Sequence, residues 1–170
     1  MDLEKFIRDV PDFPQKGIIF KDITTLLKEK DAFKHVIHLM EEKYKDKNVH
    51  KIVGIESRGF IFGGVLAYNL GCGFIPARKP GKLPAETIKE DYSLEYGTNT
   101  LELHVDAIEE GENVVIVDDL LATGGTAQAV AKLVERLKGN ILGIEFLVEL
   151  DFLNGREKLN GYNISSYLHY

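Results

Sequence analysis

The sequence predicts an α/β fold: a parallel β-sheet flanked by helices in a single domain spanning residues 1–170. Three observations predict it. Val114–Val117 is an unbroken run of β-branched apolar residues, which is how a strand buried on both faces reads, and such strands belong to parallel sheets covered by helices. Stretches of strand character alternate with stretches of helical period from residue 31 to residue 150, the order that builds strand–helix–strand units. With 170 residues, 44% apolar and 28% charged, the chain is long enough for a core of its own and ordinary enough to exclude a disordered or fibrous class.

In chain order, Leu3, Phe6, Ile7 and Val10 repeat at helical spacing, so a short amphipathic helix is expected up to Pro11. Pro11–Gly17 reads as a loop that delivers Ile18–Thr24. From Asp31 as N-cap, Phe33, Val36, Ile37, Met40 and Tyr44 line one face of a helix. Lys51–Glu56 reads as the first core strand, Gly59–Leu70 as a helix whose small residues permit close packing, and Cys72–Ala77 as a second strand. Arg78–Gly97 is polar, rich in Pro and Gly, and too long for a mere connector; such loops act as lids. Thr87–Tyr96 and Thr98–His104 alternate around Gly97, which predicts an antiparallel hairpin, giving a flexible lid over 78–104. Val114–Asp118 is the central strand, ended by its two aspartates. A loop over Leu120–Thr126, a helix over Gly125–Lys138 and a strand over Ile141–Leu150 follow. The tail adds a short helix near Gly155–Leu159 and a strand over Asn163–His169.

Composition narrows the function. A net charge of −6 argues against a nucleic-acid or anionic-membrane surface. The single cysteine, Cys72, gives no disulfide framework and no cysteine-based zinc site, which fits a reducing cytoplasm. The N-terminus lacks the apolar core of a secretory signal, and the apolar stretch Phe60–Pro76 is broken by glycines, so it reads as helix then strand rather than a membrane span. His35, His38, His50, His104 and His169 show no metal-ligand spacing.

In a parallel sheet ligands sit beyond the carboxyl ends of the strands, and three motifs fall there. The loop after Asp118 and Asp119, with Ala122, Thr123, Gly124, Gly125 and Thr126, presents N–H groups and hydroxyls at a helix N-terminus, which suits a phosphate; a lone TGGT reads more simply as a turn and capped helix beside a solvated acidic pair, and only the whole run shifts the balance to a phosphate cradle. The absence of lysine in it argues against a nucleoside-triphosphate loop. Two carboxylates beside a phosphate are tolerated where they accept hydrogen bonds from hydroxyls or face a divalent cation; a ribose 5-phosphate meets both ends. Glu56-Ser57-Arg58-Gly59 leaves a strand and opens a helix, which suits an anion as well as it suits an ordinary cap. Arg78, Lys79 and Lys82 lie in the lid. Basic residues on a surface loop are usually just solvated, but on a closing lid they would meet a leaving anion.

The whole run VVIVDDLLATGGTA resembles the phosphoribosyl pyrophosphate (PRPP) binding motif of type I phosphoribosyltransferases, and its ending is similar to the version found in adenine phosphoribosyltransferases. The lid motif Arg78-Lys79-Pro80-Gly81-Lys82-Leu83-Pro84 and the run Tyr92–Gly97 (YSLEYG) are similar to that family too, as are Gly17–Thr24 and Gly155–Leu159. The resemblance covers nearly the whole chain. It implies the type I fold with a small N-terminal hood, mainly residues 1–30, and transfer of the phosphoribosyl group from PRPP to adenine, giving AMP and pyrophosphate.

It also implies roles. Asp118 and Asp119 would take the ribose hydroxyls and Ala122–Thr126 the 5′-phosphate. Ser57, Arg58 and Gly59, with Arg78, Lys79 and Lys82, would take the pyrophosphate. Glu95 would face the purine imidazole and Tyr96 would pack over the reacting centre, with Arg58 completing the catalytic set. Backbone groups of Ile19, Phe20 and Lys21 would read the adenine edge, and Leu150 would touch the base. Many family members carry Arg where this chain has Lys21; a backbone reading does not depend on that side chain. Mg²⁺ would arrive on the pyrophosphate with no protein ligand of its own, and a homodimer is expected. Two other readings stay open: a phosphoribosyltransferase for a 6-oxo purine such as xanthine, and a PRPP-sensing regulator of the same fold. About a dozen residues precede the hood motif, few for a separate DNA-binding domain.

Overall fold

The computed structural model describes residues 1–93 and 97–170. They form two compact units, residues 1–42 and 43–170.

The first unit opens with a 3-10 turn, Leu3–Phe6, and continues through β1 (Arg8–Pro11), β2 (Ile19–Asp22), the short helix α1 (Thr24–Leu27) and α2 (Lys30–Tyr44), whose last residues belong to the second unit. The helix expected through Val10 stops at Phe6, because Arg8–Pro11 pairs antiparallel with β2. Cross-strand charges explain the outcome. Lys21 Nζ sits 2.7 Å from Asp9 Oδ1, and Arg8 Nε donates to Asp22 Oδ2 at 3.0 Å; strand pairing outweighs the weak local helical preference. Asp31 also differs from expectation. Helix α2 begins at Lys30, so Asp31 lies in the first turn, where its charge still favours the positive end of the helix. Val36, Ile37 and Met40 are buried as the periodicity requires.

The second unit runs β3 (Lys51–Ile55), α3 (Glu56–Leu70), β4 (Gly73–Ala77), β5 (Thr87–Ser93), β6 (Thr98–His104), β7 (Asn113–Leu121), α4 (Gly125–Arg136), β8 (Asn140–Glu149), 3-10 turns at Asp151–Leu153 and Gly155–Leu159, and β9 (Ile164–His169). Its five-stranded sheet has the order β4-β3-β7-β8-β9, parallel throughout. Strands β5 and β6 form a separate antiparallel hairpin.

Alternation along the central strand sets the layers. Val114 and Ile116 join Val53, Ile55, Ile144 and Phe146 in a core with Val130, Leu133 and Val134 of α4. On the opposite face α3 lies so close that a Cβ on Gly63 would stand 3.4 Å from Ile52 Cγ2. Both faces of the sheet are therefore covered, which is why the strand needs apolar residues at consecutive positions.

Two boundaries move. β7 runs on to Leu121, so Asp118 and Asp119 lie inside the strand rather than ending it; Leu120 and Leu121 pair with Val148 and Glu149 of β8. Helix α3 starts at Glu56, earlier than Gly59, so Ser57, Arg58 and Gly59 form its first turn. Among the described residues no helix is long and apolar enough to cross a membrane.

Candidate active site

The carboxyl ends of β3, β4 and β7 open on one cavity of about 420 Å³. Ser57, Arg58, Lys79, Asp118, Asp119, Ala122 and Thr126 line it. A smaller recess of about 50 Å³ lies against the helix N-terminus, where Thr123 and Gly124 join Ala122, Thr126 and Asp118. Three motifs far apart in sequence thus meet in one place.

The cradle owes its shape to close approach. Gly124 has φ of +82° and precedes α4, and a Cβ there would collide with the Gly155 carbonyl. Only glycine meets both demands. Gly59 is equally constrained: a Cβ would stand 2.8 Å from the Val117 carbonyl oxygen and 3.4 Å from Asp118 Oδ1. It brings the first turn of α3 against the aspartate-bearing end of β7.

The aspartates carry the electrostatics. Asp119 is only 5% exposed, and Arg58 Nε pairs with its Oδ2 at 2.9 Å. Asp118 accepts the Asp119 N–H through Oδ1 at 2.8 Å. Burial, and then the neighbouring Asp119 charge, push the Asp118 carboxyl well above the usual carboxylate range; Arg58 offsets part of that. A cation or a set of hydroxyl donors beside this pair would favour the ionised form.

Glu56 has a backbone φ of +51°, an uncommon conformation for a residue with a side chain and a costly one, about 1–3 kcal/mol. Its carboxylate reaches the lid: Oε1 accepts the Lys79 N–H at 2.6 Å and Oε2 lies 3.5 Å from Arg78 Nη2. Arg78 also stacks over Phe60, 5.2 Å from the ring centroid. Its Nε is buried with no acceptor among the described residues. The guanidinium's charge is met by Glu56 and the Phe60 ring, and Arg78 does not line the cavity.

Other assigned residues lie elsewhere. Lys82 is exposed and does not line the cavity. Gly125 is buried in the first turn of α4. Glu95 and Tyr96 lie outside the described residues. Leu150 follows β8, half-buried, its N–H bonded to the Leu121 carbonyl at 2.9 Å. In the first unit, Ile19, Phe20 and Lys21 make up most of β2. There Phe20 packs edge-on against Phe13 at 5.2 Å, and Val10, Phe13, Phe20 and Asp22 line a recess of about 250 Å³.

The cavity also holds polar residues to which the sequence assigns no role. Glu56 lines it, and its place directly after a strand is the signal that points there. Tyr92 lines the cavity from β5; the period-two pattern that puts it on the same face as Ile88 was the available signal. Among the described residues, the metal-ligating types that cluster are Glu149, Asp151 and His169. Arg156 already holds Glu149 there, its Nε donating to Oε1 and its Nη2 to Oε2, both at 2.7 Å.

A family model, the phosphoribosyl transferase domain, matches residues 22–161. The chain is similar to the adenine phosphoribosyltransferase of Halothermothrix orenii, 59% identical over 168 residues, covering 99% of each. Its structure is similar to that of the adenine phosphoribosyltransferase of Thermoanaerobacter pseudethanolicus, with a TM-score of 0.95 and 55% identity over 99% of this chain and 98% of that one. The Saccharomyces cerevisiae enzyme, solved with adenine and an imino-altritol bisphosphate, superposes with a TM-score of 0.92 at 44% identity over 98% of this chain and 97% of that one. With a domain model over residues 22–161 and relatives matched along nearly their whole length, the chain belongs to the adenine phosphoribosyltransferase family.

Proposed function

We propose that this chain transfers the phosphoribosyl group of PRPP to adenine, releasing AMP and pyrophosphate, with the cavity at the ends of β3, β4 and β7 as the donor site. The observation that carries the reading is the meeting of Ala122 and Thr126 at a helix N-terminus, the Asp118–Asp119 pair, Arg58 and Lys79 around about 420 Å³. The 5′-phosphate is assigned to Ala122–Thr126, whose helix-terminal N–H groups favour an anion. Asp118 and Asp119 are assigned to the ribose hydroxyls. As the bond to the anomeric carbon breaks, the electron pair leaves with pyrophosphate and positive charge grows on the sugar. The aspartates steady that charge, while Ser57, Arg58, Gly59, Arg78, Lys79 and Lys82 take the anion. The Arg78 Nε, which has no acceptor among the described residues, supports the assignment of Arg78.

Mg²⁺, when bound to the pyrophosphate, supplies further neutralisation. The residues fit such an ion: the carboxylates of Asp118 and Asp119 line the cavity, and Asp118, whose carboxyl is held above the usual range, is an acid that a nearby cation would help ionise. Glu95 is assigned to the purine imidazole and Tyr96 to the face of the reacting centre. Backbone groups of Ile19, Phe20 and Lys21 are assigned to the adenine edge, which has an acceptor at N1 and a donor at N6; a 6-oxo purine inverts both and would leave buried groups unpaired. Leu150 supplies an apolar contact to the base. A homodimer is supported by a stripe on α3 where Ile61, Val65 and Tyr68 are exposed, with Phe74 exposed on the neighbouring β4. The free Cys72 fits a cytoplasmic, reducing compartment.

The test is product analysis with the purified chain, adenine, PRPP and Mg²⁺. AMP and pyrophosphate in equal amounts are expected. Binding of PRPP without nucleotide formation from any purine would instead indicate a PRPP-sensing regulator.

A further inference from the structure

The donor cradle does not stand alone. Behind it lies the turn at residues 150–159, whose contacts reach the cradle's backbone from the far side. A Cβ on Gly155 would collide with the Ala122 carbonyl oxygen, and one on Gly124 with the Gly155 carbonyl oxygen. The two backbones approach closely enough that each position admits only glycine, with the Leu121 side chain packed beside Gly155. Leu150 N–H donates to the Leu121 carbonyl at 2.9 Å, and Gln128 Nε2, from the first turns of α4, donates to the Lys158 carbonyl at 2.8 Å. Leu159 is fully buried in the core. The turn thus touches the cradle before, within and after the glycine pair.

Arg156, the neighbour of Gly155, is held from the sheet. It grips Glu149 at the end of β8 through both carboxylate oxygens at 2.7 Å and reaches Ser166 Oγ of β9 at 2.8 Å. Ser166 in turn donates to Glu149. Glu149 is 4% exposed, and the Arg156 guanidinium holds its carboxyl below the usual range. A fork of this kind fixes orientation as well as position.

We infer that Arg156 is a positioning residue for the donor's 5′-phosphate, acting through Gly155, which serves as a backstop for the Ala122–Thr126 cradle. The inference rests on the reading of that cradle as the phosphate site. The N–H groups at a helix terminus bind an anion only if they converge, and each hydrogen bond to a charged group is worth roughly tenfold in affinity. The interlock with Gly155 restrains Gly124, whose φ of +82° turns the chain into α4. Arg156 anchors the backstop to two strands, so the cradle inherits the rigidity of the sheet. The sequence shows this segment as a short helix and does not reveal its contact with the cradle.

The experiment compares steady-state kinetics and thermal unfolding of the full chain with G155A, R156Q, R156K and the double variant E149Q/R156Q, using T126A as the direct probe of the cradle. G155A and R156Q are expected to raise KM for PRPP by about tenfold or more, since small misplacements of binding groups are costly. KM for adenine should stay within about twofold, and R156K, keeping charge without the fork, should fall between. The double variant removes the uncompensated buried carboxylate, so it should regain melting temperature over R156Q while keeping the raised KM for PRPP. KM for PRPP unchanged in folded G155A and R156Q, or recovering together with melting temperature in the double variant, overturns the inference. With T126A raising KM in those same assays, the cradle reading survives and only the backstop falls. With T126A also silent, the cradle reading has failed and takes the backstop with it.

Discussion

Asp118 shows how a single position can be set up for chemistry that its surroundings resist. It is an acid placed beside another acid inside the sheet's covered end, with its carboxyl pushed well above the usual range by burial. The strand puts it there because Leu120 and Leu121 continue pairing past the aspartates. Glu56 has the complementary oddity, a positive φ that turns its carboxylate onto the lid's Lys79 N–H. Both features cost stability, and both face the proposed donor site. Glu95 is the residue whose chemistry is most open to direct trial. If it exchanges a proton with the purine, E95Q should lower kcat by about a hundredfold, with both KM values little changed. Turnover equal to the parent would exclude proton transfer by that side chain.

At the level of elements, helix α3 and strand β7 act as one device. Gly59 lets the first turn of α3 approach the Val117 carbonyl, and that approach is what sets Arg58 against Asp119 at 2.9 Å. G59A should therefore do two things: destabilise the fold by about 1–3 kcal/mol through overpacking and raise KM for PRPP by separating the ion pair from the cavity. Thermal unfolding and PRPP kinetics on the same preparation check both, and a variant altered in neither would remove Gly59 from the account. Helix α4 has a parallel duty toward the hairpin. Its Arg136 donates to the Lys89 carbonyl at 2.7 Å and its Lys132 lies 3.3 Å from Glu90, so the helix that begins at the cradle also holds β5.

For the molecule as a whole, the exposed α3 stripe is the feature least explained by a lone chain. Tyr68 is 86% exposed, with Val65 and Ile61 exposed on the preceding turns. V65E should convert a dimer to a species near 19.1 kDa by sedimentation, while an unchanged mass would place any interface elsewhere. The sheet itself was legible in the sequence because burial on both faces leaves a continuous apolar run at Val114–Val117, and each motif fell at a strand end. What was not legible depends on partners remote in sequence. Arg8–Pro11 becomes a strand only because β2 meets it. The reach of β7 past Asp119 depends on β8. Glu145, fully buried, is met by Lys43 and Tyr44, 102 and 101 positions away. At the proposed donor site, the sequence motifs after β3, β4 and β7 were legible, but the contact of Glu56 with Lys79 needed the fold, since it joins residues 23 apart.

The choice of base tests the central claim most directly. With PRPP and Mg²⁺ at saturation, adenine, hypoxanthine, guanine and xanthine supplied in turn should give efficient nucleotide formation from adenine, with the 6-oxo purines lower by several orders of magnitude, as expected when a wrong base leaves buried polar groups unpaired, roughly 10⁴-fold. Hypoxanthine turned over as well as adenine would contradict the account.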